Sequence, residues 1–104
     1  MDNIVLCGAN SYTQKYYLNP DFAKLPEEIK NELQIMCVKY TEEAGGIITL
    51  EFAPDGQLLL KTCADDSDFL YDEIESGLQI SRIQREKEEL FEKLELFYKV
   101  FKQR

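Results

Sequence analysis

The fold is decided by residues 47–63, which read IITLEFAPDGQLLLKTC. At the centre of this stretch, Pro54 presets φ for the first position of a turn, and Gly56 suits the left-handed conformation at its end. This spacing predicts a β-hairpin with a three-residue loop and a bulge, formed by strands over about 46–53 and 57–63.

The turn also determines which side chains share a face of the hairpin. On one face, three apolar residues of the first strand lie opposite residues of the second: Phe52 with Leu58, Leu50 with Leu60, and Ile48 with Thr62. We predict that this face is buried. The opposite face pairs Glu51 with Leu59 and Thr49 with Lys61, and this mixed composition leaves open whether a helix or another strand covers it.

An amphipathic helix is predicted directly upstream, over about 26–44. Apolar residues recur there at four- and three-residue steps and form one stripe, made of Leu25, Ile29, Leu33, Met36 and Tyr40. Pro26 suits the first turn of a helix, and Gly45 can cap the last turn. We expect the stripe to pack on the apolar face of the hairpin.

A long C-terminal helix is predicted over about 82–102. Its apolar face, interrupted by Lys87, consists of Ile83, Leu90, Leu94, Phe97 and Phe101. Ser81 and Gln84 have the spacing of a capping box, which places the start of the helix directly after Ser81. Residues 69–76, between the hairpin and this helix, fit either a short helix or the start of a third antiparallel strand.

Together these elements predict one α+β domain over residues 1–104, in which a small antiparallel sheet packs against the two helices. A chain of this length buries roughly two thirds of its extended surface and needs no metal or disulfide in order to fold. Residues 1–22 are predicted to wrap over the domain as an N-terminal segment.

No stretch of the sequence predicts export or membrane insertion. The N-terminus lacks a basic region, and its apolar run, residues 4–7, is far shorter than a signal peptide or a membrane span. We therefore expect a cytoplasmic protein without membrane contact.

The negative charge is concentrated in the first part of the chain. Residues 1–80 hold 5 basic and 15 acidic side chains, whereas residues 81–104 hold 7 basic and 5 acidic ones, which gives the net charge of −8. A surface this negative repels phosphate groups, so we expect no nucleic-acid partner.

No group of residues has the spacing of a known catalytic, cofactor or metal site, and we predict a non-enzymatic protein without a cofactor. The three cysteines, Cys7, Cys37 and Cys63, are widely spaced, which argues against a disulfide framework or a zinc site. We expect all three to be buried, reduced thiols, because the chain contains no histidine that could activate one.

The weak alternative for a metal is the acidic run that contains Asp65, Asp66 and Asp68. Hard cations bind several carboxylate oxygens that converge within a short loop. The run lacks the glycine and the terminal glutamate of a calcium loop, and consecutive aspartates also serve as helix caps. Capping is the favoured interpretation.

Two sets of residues are predicted to bind a partner. The first is Tyr12, Tyr16 and Tyr17, because tyrosines are common at recognition surfaces. The competing interpretation is that their rings only cover the core. The second set is Leu96 and Val100, which lie off the apolar face of the last helix and suit a homodimer interface unless the N-terminal segment covers them.

Five stretches spread over nearly the whole chain carry a resemblance: residues 6–12 (LCGANSY), 14–19 (QKYYLN), 32–38 (ELQIMCV), 45–47 (GGI) and 89–101, from ELF to VF. They resemble a family of small, uncharacterised proteins of unknown function from clostridia and related gut bacteria. The resemblance implies a bacterial cytosolic protein and carries over no catalytic or binding residue.

Hypotheses from two functional classes remain. The favoured one is a non-enzymatic interaction or adaptor protein that binds a protein partner or a second copy of itself, because catalytic sets are missing and apolar residues lie off both helical faces. The alternative is a small-molecule or divalent-cation-binding domain that uses the acidic loop 65–75 and the N-terminal tyrosines. A secretion-type chaperone is a further hypothesis, based on fold-level analogy alone.

Overall fold

The structure, a computed structural model, describes residues 2–102 and confirms the α+β fold. In this range four strands and three helices follow one another: β1 (Ile4–Asn10), β2 (Lys15–Leu18), α1 (Glu27–Ala44), β3 (Ile47–Phe52), β4 (Leu58–Cys63), α2 (Glu73–Glu86) and α3 (Glu88–Lys102). A short 3₁₀ helix, Pro20–Phe22, leads from β2 toward α1. Within residues 2–102 no helix combines the length and the apolar character that crossing a bilayer requires.

The four strands form one antiparallel sheet in the order β2-β1-β3-β4. The predicted hairpin is β3 and β4, and its register is confirmed, because Phe52 pairs with Leu58 and Leu50 pairs with Leu60. Every second residue of β3 is buried, beginning with Ile48, so the predicted core face of this strand is also confirmed.

The opposite face of the sheet is polar around Glu51. Its carboxylate accepts a hydrogen bond from Thr49 Oγ1 at 3.0 Å and one from Asn3 Nδ2 at 3.3 Å, and it lies 3.5 Å from Lys61 Nζ. Burial opposes the charge of Glu51, but these three partners together hold its pKa below the usual value. Hydrogen-bonded polar side chains therefore occupy the face whose covering the sequence leaves open.

The N-terminal segment forms two of the four strands instead of wrapping over the domain. β1 lies inside the sheet, paired with both β2 and β3. A register shift between Val5 and Cys7 is a bulge, which allows the adjacent residues Leu6 and Cys7 both to be buried. The bulge hides the two-residue period by which a strand is recognised in sequence, and the prediction for residues 1–22 is corrected accordingly.

The helix predicted over 26–44 is confirmed as α1. Its apolar stripe is largely buried, and α1 packs against β1 and β3. Pro26 precedes the first turn without capping it by a side chain, and Gly45 ends the helix by donating its N–H to the carbonyl of Thr41.

Phe22, in the 3₁₀ helix, connects the N-terminal part of the chain to α3. Its ring is fully buried and lies 5.7 Å from the ring of Phe52 and 5.2 Å from that of Phe101, measured between ring centroids. Tyr98 stacks on Phe52 with centroids 4.2 Å apart. Aromatic side chains from three separate elements thus form one cluster at this end of the core.

The prediction of one continuous C-terminal helix is wrong, because two helices, α2 and α3, meet at Lys87. Part of residues 69–76 forms the first turn of α2 and not a third strand, and the capping box at Ser81 lies inside the helix. The residue that caps α2 is Asp72, whose Oδ1 accepts a hydrogen bond from Glu75 N at 2.9 Å.

The chain leaves the helical conformation at Lys87, the charged residue that interrupts the apolar face. Its φ of −108° and ψ of 17° depart from helical values, and its Nζ lies 2.9 Å from Glu32 Oε1 on α1. As a result α2 packs along α1, whereas α3 packs against the β3–β4 hairpin. There Glu95 Oε2 accepts a hydrogen bond from Leu58 N at 2.7 Å.

Asp72→Ala is expected to lower the free energy of unfolding by about 0.5–2 kcal/mol, the usual cost of losing an N-cap. Ser81→Ala is expected to change it by less than about 0.5 kcal/mol, because Ser81 is exposed inside α2 and alanine favours helix. Urea unfolding followed by circular dichroism measures both changes. A larger loss in the free energy of unfolding for Ser81→Ala than for Asp72→Ala would contradict this cap. It would support a helix that begins directly after Ser81, as predicted from the sequence.

Candidate functional site

The loop between β4 and α2, residues 64–72, is anchored by the hydroxyl of Tyr12. This hydroxyl donates to Asp68 Oδ2 at 2.6 Å and accepts from Asp65 N at 2.9 Å. Tyr12 is itself fixed by Asn10, whose Oδ1 accepts from Tyr12 N at 2.8 Å. The hydrogen bond to Asp68 raises the pKa of the Tyr12 hydroxyl, which therefore keeps its proton and remains a donor at neutral pH.

A second anchor joins the same loop to α1 and α2. Three hydroxyl groups lie within hydrogen-bond distance of one another: Tyr40 and Ser76 at 2.7 Å, Tyr71 and Ser76 at 2.8 Å, and Tyr40 and Tyr71 at 3.1 Å. Burial raises the pKa of Tyr40 to about 12. Tyr40 therefore keeps its proton at neutral pH, and the three hydroxyl groups connect the loop to α1 and α2.

Phe69 and Leu70, the two residues between these anchors, extend into solvent. Their side chains are 95% and 93% exposed, respectively. Ile74 and Leu78 follow one turn apart on α2 and are 79% and 57% exposed. We call Phe69, Leu70, Ile74 and Leu78 the loop–helix patch.

The loop–helix patch is missed by the sequence predictions. Ile74 falls within the short helix that is one of the two alternatives for residues 69–76, but Leu78 lies between that segment and the helix predicted to begin after Ser81, so the two residues do not share a predicted helical face. The signal that could have found the patch is a pair of adjacent apolar residues, Phe69 and Leu70, inside an acidic run and followed by apolar residues four positions apart.

A groove of about 700 Å³ is formed by the end of β4, the same loop and the first turns of α2. Its walls carry four carboxylates, those of Asp65, Asp66, Asp68 and Glu73, and no basic side chain is among its lining residues in the described part of the chain. The ion pairs found within residues 2–102 involve none of these four carboxylates. We call this feature the acidic groove.

The aspartates proposed as the weak metal alternative shape the loop. Asp65 Oδ1 accepts hydrogen bonds from Ser67 N at 3.0 Å and Ser67 Oγ at 2.8 Å, and these bonds lower the pKa of Asp65. Asp68 Oδ1 accepts from Leu70 N at 2.9 Å, while Asp66 is exposed. Among residues 2–102 no three Asp, Glu, Cys or His side chains are placed so that they could hold one ion.

The three candidate tyrosines do not share one surface. Tyr12 contacts the acidic loop, whereas Tyr16 and Tyr17 are adjacent in β2 and lie on opposite faces of the strand. Tyr16 packs against the core, where burial and the neighbouring Cys7 raise the pKa of its hydroxyl. Tyr17 is exposed at the edge of the sheet.

Two of the three cysteines are the buried thiols that the sequence predicts. Cys7 on β1 and Cys37 on α1 have their Sγ atoms 4.0 Å apart. The contact with Cys7, together with burial, raises the pKa of Cys37 and so favours the protonated thiol. The prediction is wrong for Cys63, which is exposed because it ends the edge strand β4 on the outer face of the sheet.

A sequence model of a protein family matches residues 3–104, almost the entire chain. The chain belongs to the Family of unknown function (DUF6145). This membership confirms the resemblance to a family of unknown function. No curated protein and no solved structure has a significant match to the chain.

In this DUF6145 member, the second predicted contact set lies on the outer side of α3. Leu96 and Val100 are 64% and 50% exposed, whereas Leu94 and Tyr98 on the other side of the helix are buried. The N-terminal strands therefore leave Leu96 and Val100 accessible, and this surface is separate from the loop–helix patch.

Proposed function

We propose that this protein is a non-enzymatic interaction or adaptor protein that binds a protein partner through the loop–helix patch. The observation that carries this proposal is the exposure of Phe69 and Leu70 between two anchored neighbours, Asp68 and Tyr71. A segment held in this way is pre-organised, so that a partner pays less ordering entropy on binding. The bacterial, clostridial origin and the cytoplasmic location implied by the resemblance belong to the same proposal.

Covering the exposed side chains of Phe69 and Leu70 would contribute binding free energy. Burying one large apolar side chain contributes about 1.5–3 kcal/mol. A few such side chains usually provide most of the affinity of a protein interface. Phe69 and Leu70 lie almost completely in solvent, so this contribution becomes available only when a second molecule covers them.

A second copy of the chain is the other candidate partner, through Leu96 and Val100. Both side chains lie on the accessible side of α3, and a two-fold axis would bring the same apolar side chains of two copies together. Lys93 and Lys99 lie on the same helix beside Glu92 and Glu95, so this surface has no charge excess that would oppose self-contact.

Phe69→Ser/Leu70→Ser is expected to reduce recovery of the partner about tenfold or more, the effect of losing roughly 1.4 kcal/mol of binding free energy. The measurement is affinity capture from a native lysate with quantitative mass spectrometry. Ile35→Ser is the matched control, because Ile35 is an exposed apolar residue on α1. Circular dichroism verifies that each variant is folded.

Leu96→Ser/Val100→Ser, measured in the same series and by light scattering, separates the two surfaces. A loss of partner confined to Phe69→Ser/Leu70→Ser supports the loop–helix patch. If the wild type is a dimer and only Leu96→Ser/Val100→Ser converts it to a monomer, self-association through α3 becomes the favoured function. Equal recovery by all variants, from a protein that is monomeric in each case, would overturn the proposal.

A further inference from the structure

The loop–helix patch lies in an acidic stretch of the chain. Six acidic residues precede it or alternate with it along the chain: Asp65, Asp66, Asp68, Asp72, Glu73 and Glu75. None of them takes part in the ion pairs found within residues 2–102. The donors to their carboxylates are neutral groups, such as the Tyr12 hydroxyl, the Gln79 amide and backbone N–H groups. In this part of the chain, therefore, no Lys or Arg side chain forms an ion pair with these carboxylates.

The acidic groove is formed by the same loop and helix that carry the patch, and it provides room for a cationic side chain. Its volume of about 700 Å³ is larger than a single Lys or Arg side chain, and its lining combines the four carboxylates with the polar residues Tyr71 and Ser76. Carboxylates in a concave surface focus a negative potential, which attracts Lys or Arg and repels anions. The same loop and helix thus present exposed apolar side chains and an acidic recess.

This combination excludes three classes of partner for the surface. A second copy bound through the same surface would place each set of carboxylates against itself, and like charges across an interface are unfavourable. Nucleic acids and anionic membranes carry phosphate groups, which the region repels. A complementary surface must instead combine apolar side chains with positive charge.

We propose that the loop–helix patch binds a basic amphipathic helix of a partner protein. Its apolar side chains cover Phe69, Leu70, Ile74 and Leu78, and its Lys or Arg side chains enter the acidic groove. This inference rests on the proposed function and names the chemistry of the partner.

The test uses two fluorescein-labelled peptides of about 18 residues, roughly five helical turns. One carries leucine at helical spacing with lysine and arginine on the other face, and in the other glutamate replaces every basic residue. Fluorescence anisotropy measures their binding to the full chain. The basic peptide is expected to bind at least tenfold more tightly than the acidic one, and Asp66→Asn/Glu73→Gln is expected to weaken its binding about 3- to 10-fold. Neither Asp66 nor Glu73 caps α2 or anchors the loop.

The matched control is Asp21→Asn/Glu42→Gln, which removes the same charge from exposed residues outside the patch and the groove. Unchanged binding by this control, with about tenfold weaker binding by Phe69→Ser/Leu70→Ser, supports the proposal. Equal weakening by both charge variants, or equal binding of both peptides, would overturn it. If Phe69→Ser/Leu70→Ser loses captured protein while Asp66→Asn/Glu73→Gln retains it, the interaction function stands and the basic partner is rejected.

Discussion

Phe22→Ala is expected to lower the free energy of unfolding by about 3–5 kcal/mol, the usual range for truncating a buried phenylalanine. The ring of Phe22 is fully buried and contacts the rings of Phe52, Phe97 and Phe101. Its loss leaves a cavity where the 3₁₀ helix, β3 and α3 meet, and these elements cannot all move inward to fill it. Chemical denaturation followed by circular dichroism measures the change.

Phe69→Ala is the matched control, because it makes the same chemical change at a side chain that is 95% exposed. Its effect on the free energy of unfolding is expected to stay within about 0.5 kcal/mol. The two phenylalanines thus separate a role in folding from a role in binding. A loss below about 1 kcal/mol for Phe22→Ala would contradict the central place of Phe22 in the core.

Gly46→Ala is expected to be the second most harmful change, with a loss of about 2–4 kcal/mol in the free energy of unfolding. Gly46 has φ of +72°, which is unfavourable for alanine. A Cβ atom there would lie 2.6 Å from the Cys63 carbonyl oxygen and 2.8 Å from Tyr71 Cε1, so that backbone and ring must both shift. Thermal and urea unfolding measure the loss.

Gly77→Ala provides the opposite control and is expected to stabilise the protein by about 0.5–1 kcal/mol. Gly77 lies inside α2, and apart from its chain neighbours and the adjacent helix backbone no atom is within 4 Å of where its Cβ would stand. A Gly46→Ala protein as stable as wild type would show that Tyr71 and β4 can move enough to accommodate the added Cβ atom. In that case the anchor that positions the loop–helix patch would be weaker than the hydroxyl cluster indicates.

The β3–β4 hairpin and α1 could be predicted from the sequence because their signals are local. Pro54 and Gly56 determine the turn, the turn determines the register, and the alternation of β3 shows which face is buried. The stripe of α1 likewise follows from one helical period, and Gly45 marks its end. These elements required no knowledge of the rest of the chain.

The N-terminal strands could not be predicted in the same way, because their stability comes from partners far along the chain. β1 pairs with β3 across the whole of α1, and its bulge interrupts the alternation that would identify it. At the break between α2 and α3, Lys87 contacts Glu32 of α1, a contact that the helical period does not contain. In both cases tertiary contacts decide between local alternatives.

The candidate site was only partly predictable. The exposure of Leu96 and Val100 follows from their positions off the helical face. The meeting of Tyr12 with Asp68 joins two predicted candidate sets that are distant in sequence, and it follows only from the β1–β2 turn lying beside the loop. The loop–helix patch depends on the start of α2. Asp72 caps this start, and Ser76 in the first turn is hydrogen-bonded to the hydroxyls of Tyr40 and Tyr71.

The interior position of β1 has a consequence for any alteration of the chain's beginning. Two hairpins lie side by side in the sheet, and they are joined by the pairing of the first strand with the third. Removing residues 2–10 would therefore remove the strand that joins the two hairpins and would divide the sheet. It would leave β3 with a row of unpaired backbone N–H and C=O groups, the kind of open edge on which chains aggregate.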